Sequence, residues 1–234
     1  PGGYGFYGVA DILSGDANPS GHLSDTYAAD ISASPAAQNF GNFEWTNPDP
    51  TTTTNSAIVQ AEGIYMGYKY YETRYADVVL GQGNAGAWDY DSEVTYPFGY
   101  GLSYTTFEQT LDSLKVDLGE KTVTAEVTVK NTGDVAGKDA IQLYVSLPYI
   151  TGGLEKAAVQ LLDYAKTDEL APGESKSYTL TADMQNMTSW DSEADNAAGT
   201  KGCFVLDAGD YLFTVGDDAH DAVNNVLAAR GVSV

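Results

Sequence analysis

Cysteine is nearly absent from this chain. Cys203 stands alone among 234 residues, so no internal disulfide can form and no cysteine cluster can hold zinc. Histidine is almost as scarce: His22 and His220 are too few for a metal site of the usual type, and neither metal nor cofactor is expected. No apolar run approaches the roughly 20 residues needed to cross a bilayer, and no basic-then-apolar leader is visible. The chain opens at "PGGYGF" without a methionine and is expected to be a piece of something longer. A soluble protein of bacterial type, cytoplasmic or secreted, is the expected setting.

Basic residues are also few, 11 against 33 acids, for a formal net charge of −22. Such a surface repels phosphate backbones and anionic membranes, which argues against nucleic acid and membrane as partners and for a neutral or cationic ligand. The acids are scattered rather than blocked, and an aromatic content of 12% is too high for a disordered tail.

The residues that are present divide the chain in two. In the first part, Phe6, Val9, Ala10 and Leu13 recur at helical spacing, with Gly15 where a C-cap belongs. "GDANPSG", Gly15 to Gly21, is a dense turn. "HLSDTY" alternates Leu23, Asp25 and Tyr27 against polar or small neighbours and predicts a strand. Residues 39–55, with their prolines and threonine run, read as a loop. Ile64, Tyr68, Tyr71 and Tyr75 fit a helical stripe beginning after Gly63, though a strand turning into a helix also suits them. Gly81 to Glu93 reads as a glycine-rich loop. After Phe107 the runs "SLKVDL", "TVTAEVTVKN", "DAIQLYVSL", "ESKSYTLTA" and "CFVLDAGDYLFTVG" are β-type and separated by turns, which predicts an antiparallel sandwich of about seven strands. The division falls near Thr110.

Just before it stands "YPFGYGLSYTTF". Pro97 fixes its own φ and biases Tyr96 towards extended backbone, while Gly99 and Gly101 permit sharp turns and close approach. Tyr96, Phe98, Tyr100, Tyr104 and Phe107 are expected to fill a seam between two domains, with a sugar-stacking platform as the sharper reading. Trp88 and Tyr90 are candidates to stack on a sugar, against the plainer view of ordinary loop rings. Glu62, beside Gly63 and among rings, is the carboxylate to test for catalysis, the plainer view being that it ties a buried turn. "DYDSE", Asp89 to Glu93, hints at calcium but lacks the spacing of a known loop. Asn186-Met187-Thr188 is a glycosylation sequon, and Cys203 is expected to be a small core hydrophobe.

These residues resemble glycoside hydrolase family 3, the β-glucosidases and their relatives. "YPFGYGLSYTTF" looks like the segment closing that family's α/β sandwich domain. "ADILSGDANPSGHL" (Ala10 to Leu23) resembles its "ADVLFGDVNPSGRLP", and "EGIYMGYKYYETRY" (Glu62 to Tyr75) its "EGIYVGYRYYD". "VTVKNTGDVAGKDAIQLYVS" (Val127 to Ser146), "LAPGESKSYTL" and "DAGDYLFTVG" are similar to its fibronectin type III-like domain. The matches keep the family's order over nearly the whole chain.

The resemblance implies an α/β plus all-β fold. Residues 1–109 would be the C-terminal portion of an α/β sandwich domain and 110–216 a fibronectin type III-like β-sandwich. Residues 217–234 would be a tail, or a connector to a downstream (β/α)8 barrel as in permuted members. Retaining chemistry needs two carboxyl groups about 5–5.5 Å apart. In this family the nucleophilic aspartate lies in the barrel and the acid/base glutamate well upstream of the NPSG turn, so both are expected outside this chain. Ser24-Asp25-Thr26 imitates the nucleophile motif but aligns with a structural strand, Ser24 replacing the usual proline, and is not taken as catalytic. The implied role is one wall of a cleft for β-glucosides or oligosaccharides. The implied partners are the missing barrel and the upstream part of the sandwich, in the same or another chain. The alternative is a non-catalytic carbohydrate-binding or adhesion module, which leaves the ordered motifs through both halves unexplained.

Overall fold

A computed structural model describes residues 4–41, 43–44, 56–57 and 61–234. The expected loop over residues 39–55 lies largely outside them. Two short strands, β2 (Phe43–Glu44) and β3 (Ser56–Ala57), pair antiparallel across it.

The second part of the chain is a sandwich of two three-stranded antiparallel sheets. One runs β5 (Phe107–Asp117), β6 (Thr122–Asn131), β9 (Ser175–Asp183), and the other β12 (Leu212–Val215), β7 (Ala140–Ser146), β8 (Gln160–Lys166). A hairpin of β10 (Ser189–Asp195) and β11 (Lys201–Val205) is added to these. Strand β6 shows why the first sheet forms: Val123, Ala125, Val127 and Val129 are all fully buried while the intervening Thr, Glu and Lys face out. That period of two places every apolar side chain on one face. Each buried valine contributes about 1.5–3 kcal/mol. Their partners across the sandwich are Ile141, Leu143 and Val145 of β7.

Strand β7 is buried on both faces. Its other face carries Tyr144, with no exposed surface, into a second core shared with helix α5 (Ala219–Ala229) and helix α3 (Tyr68–Leu80). Residues 219–229, within the segment expected to be a tail or connector, thus form a docked helix. Asp218 caps it by accepting from the Asp221 N–H at 2.8 Å, and Ala219, Ala222, Val223, Val226 and Leu227 form a buried stripe at helical spacing.

The first part of the chain has less interior of its own. Helix α1 (Gly5–Ser14) ends at Gly15 in the left-handed region, φ +83, as expected. None of its residues is buried, and Phe6, Tyr7 and Leu13 are 70%, 69% and 80% exposed. The predicted strand over "HLSDTY" is only a bridge from His22 to Gly101, because a turn at Ser24 and Asp25 interrupts it; pairing resumes at β1 (Tyr27–Ala28) against β4 (Val94–Tyr96). After a short helix α2 (Pro35–Asn39), α3 begins at Tyr68, later than predicted. Gly67, at φ +54, breaks the stripe, and Ile64 stays exposed on the preceding turn. The acidic run at residues 89–93 folds into a single helical turn, α4 (Tyr90–Glu93), which follows Asp89 in extended backbone.

Candidate functional site

Helix α3 buries Tyr68, Tyr71, Tyr75 and Ala76 to differing degrees, and on the same stripe it places Glu72, which has no exposed surface. Tyr90, on α4, donates its phenolic proton to Glu72 Oε1 at 2.5 Å, and His220 Nδ1 lies 3.0 Å from Oε2. Burial pushes the Glu72 carboxyl up, and the hydrogen bonds from His220 and Tyr90 oppose that. The Tyr90 ring stacks on the His220 imidazole at 3.8 Å, and Tyr75 packs against both, edge-on to Tyr90 at 5.4 Å and 4.4 Å from His220, while donating to Asn224 at 2.8 Å. This cluster ties α3, α4 and α5 together. A carboxylate with no exposed surface meets no substrate, so its chemistry here is bracing. The ring-enclosed carboxylate is Glu72 rather than Glu62. The signal was present in "YYETRY", where helical spacing puts Glu72 on the tyrosine stripe.

Glu62 is half-buried, and its carbonyl accepts from the Tyr65 N–H at 3.1 Å to close a turn. Tyr90, expected to meet a sugar, is instead only 8% exposed, with its ring covered and its hydroxyl committed to Glu72. Trp88 is half-buried, edge-on to Tyr90 at 5.9 Å, with the Arg74 guanidinium 5.7 Å from its ring. Cys203 is half-buried on β11, outside the core expected for it.

The rings of "YPFGYGLSYTTF" do not form one layer. Phe98 enters the second core, stacked on Tyr68 at 4.5 Å, and its carbonyl accepts from the Ala219 N–H at 2.9 Å. Phe107 packs against the sandwich core. Tyr104 is half-exposed and donates to the Ile12 carbonyl at 2.7 Å, pinning α1. Tyr96 and Tyr100 stack on each other at 5.0 Å near the surface. The glycines serve close approach. A Cβ on Gly99 would lie 2.1 Å from Gln142 Oε1, and Gln142 Nε2 donates to the carbonyls of Gly99 and Asp217. Asn131, fully buried, fixes the next turn: Nδ2 donates to Val135 and Leu170, and Oδ1 accepts from Thr105. Asn18 ties the NPSG turn in, donating to the Ala136 carbonyl and accepting from Ser103 and Tyr104.

Between these ties lies a cavity of about 310 Å³ lined by His22, Tyr100, Leu102, Lys138, Asp139 and Asp217, among others. Burial and the Asp139 and Asp221 carboxylates push Asp217 up to about 6. Burial and the Lys166 cation push His22 down. No group of His, Cys, Asp or Glu among the described residues has the arrangement of a metal site.

Comparison with known proteins accounts for this arrangement. Residues 139–219 match the fibronectin type III-like domain family. The chain is 36% identical to β-glucosidase A of Butyrivibrio fibrisolvens over 226 residues, covering 91% of this chain and 24% of that protein. It is 34% identical to a β-glucosidase of Ruminococcus albus, covering 92% of this chain and 19% of that one. Among solved structures, a β-glucosidase from Paenibacillus barengoltzii superposes with a TM-score of 0.71 at 38% identity, over 93% of this chain and 20% of that one. β-Glucosidase 3B of Thermotoga neapolitana gives 0.65 at 33%, over 91% and 25%. The chain belongs to glycoside hydrolase family 3, in the region where part of the α/β sandwich domain is followed by the fibronectin type III-like β-sandwich. It spans about a fifth to a quarter of the length of these relatives. No helix among the described residues is long and apolar enough to cross a membrane.

Proposed function

We propose that the complete protein is a retaining β-glucosidase that hydrolyses terminal β-linked glucosides in an aqueous compartment, and that this chain is its non-nucleophile-bearing segment. The nucleophilic Asp and the acid/base Glu lie in the barrel and upstream sandwich portions, carried in the same or another chain. Within the segment, residues 1–109 are the sandwich portion and 110–216 the fibronectin-like domain. Residues 217–234, with α5, join the two and lead onward. Phe98, Tyr104 and Phe107 brace that junction, and Tyr96 and Tyr100 cover its outer side. Trp88 is the ring offered to a sugar at the cleft wall.

The observation that carries this reading is the exposed apolar face of α1. A helix showing Tyr4, Phe6, Tyr7 and Leu13 to water calls for a covering surface of matching size. The β-glucosidases similar to this chain are four to five times longer than the part it matches. Hydrolysis of p-nitrophenyl β-glucoside, assayed on the 234-residue chain and on the longer protein containing it, tests the proposal. Activity only in the longer protein is expected. A longer protein inactive on β-glucosides, with the short chain retained on a glucan column, would instead establish the binding module.

A further inference from the structure

The chain contains only two arginines, Arg74 and Arg230, and both line the same groove, a cavity of about 870 Å³ between α3, the segment joining β7 to β8, and the end of α5. In a chain with 33 acids, neither guanidinium forms an ion pair among the described residues. Arg74 lies between the rings of Tyr70 and Trp88, at 5.8 and 5.7 Å, and donates to the Ala85 carbonyl at 3.1 Å. Its Nε is buried without a partner. Arg230 donates to Ser146 Oγ at 3.1 Å. Three tyrosines, Tyr65, Tyr70 and Tyr149, share the lining, and Asn84 and Thr151 add an amide and a hydroxyl. Of the other charged residues in the lining only Lys156 is ion-paired among the described residues; the Asp77 and Glu155 carboxylates stay negative and are held by neutral donors. Lys156 pairs with Asp207 at 2.6 Å, Asp77 accepts from Gln82 at 3.0 Å, and Glu155 accepts from the Tyr65 hydroxyl.

Rings beside amide and hydroxyl groups suit the apolar faces and hydroxyls of a sugar chain. Guanidinium forks add selection for a planar carboxylate. The volume falls in the range of small-ligand sites, about 300–1,000 Å³. We propose that this groove binds an oligosaccharide bearing a carboxylate, a uronic-acid-substituted glycan, with Arg74 and Arg230 as its anion contacts. Acids outside the groove are screened at physiological salt beyond about 8 Å, and inside it the two guanidinium groups offset the Asp77 and Glu155 carboxylates, so the lining as a whole does not repel an anion.

The test is calorimetric titration of the full chain with glucuronosyl-xylotriose and with xylotriose, which lacks the carboxylate. The acidic sugar should bind about tenfold tighter or more, the usual worth of a charge-assisted hydrogen bond pair. Arg230→Met should abolish that preference, with a cooperative melting transition showing that the variant is folded although its bond to Ser146 is lost. Arg74 also holds the Ala85 loop, so Arg74→Lys, which keeps a cation but loses the fork, is the second variant and should weaken only the acidic sugar. Equal affinity for the two sugars, binding of neither, or a preference that survives Arg230→Met each overturns the proposal.

Discussion

His220 Nδ1 sits 3.0 Å from Glu72 Oε2, joining two helices whose residues are 148 positions apart in the chain. The bond fastens α5, which packs on the outer face of β7, to α3, which carries the Glu-Gly-Ile-Tyr segment at its approach. Because Glu72 is fully buried and hydrogen-bonded twice, its loss leaves the Tyr90 hydroxyl and the His220 ring without an acceptor. Glu72→Ala should cost about 3 kcal/mol in urea unfolding. Glu72→Gln keeps an acceptor for Tyr90 and should cost roughly half of that. A Glu72→Ala protein as stable as the parent would mean the cluster is not a brace.

The seam built by Phe98 yields a contrast with its neighbour. Phe98→Ala removes a ring stacked on Tyr68 inside the second core and should cost about 2–3 kcal/mol, less than the full Phe→Ala value because the ring is half-buried. Tyr100→Ala breaks only a near-surface stack with Tyr96 and should cost about 1 kcal/mol. Chemical denaturation of the two variants side by side checks the ranking.

Gly99 cannot accept a side chain. At φ +86, with Gln142 Oε1 2.1 Å from where a Cβ would stand, Gly99→Ala is strained in its backbone and displaces the amide that holds Gly99 and Asp217. A cost above about 2 kcal/mol is expected. Amide hydrogen exchange should quicken at Ala219, whose N–H is held by the Phe98 carbonyl in the same turn.

Asp217 provides a pH dependence with a definite sign. Its folded carboxyl holds its proton up to about 6, above the ordinary value of 3.8. The folded chain thus binds the proton more tightly than the unfolded chain. The resulting stability is fully present below about pH 4 and is lost as pH rises through about 6. The residue keeps much of its surface in water although its carboxyl is partly desolvated, so water screening holds the effect below about 1 kcal/mol. Melting temperature against pH for Asp217→Asn should lose the part of the slope between those values. An unchanged profile would assign the slope to other groups.

Much of this was legible along the chain, and the reason differs from element to element. The strands of the sandwich announced themselves because "TVTAEVTVKN" has a period of two, and that period is a property of neighbouring residues. Gly15 marked the end of α1 for an equally local reason: a left-handed cap favours glycine. The order of the family's motifs identified the region without any contact being known. The docking of helix α5, in the stretch read as a tail or connector, was not legible because nothing local says what an apolar stripe packs against. Tyr90 read as a surface ring because burial is not a local property.

Local periodicity, turn chemistry and motif order therefore determined which elements form and to which family the chain belongs. Only the tertiary structure decided that β7 is covered on both faces, that Glu72 meets His220, and that both arginines reach one groove. Those outcomes depend on which distant segments close upon one another. That closure is set by the summed burial of both cores rather than by any short stretch of residues.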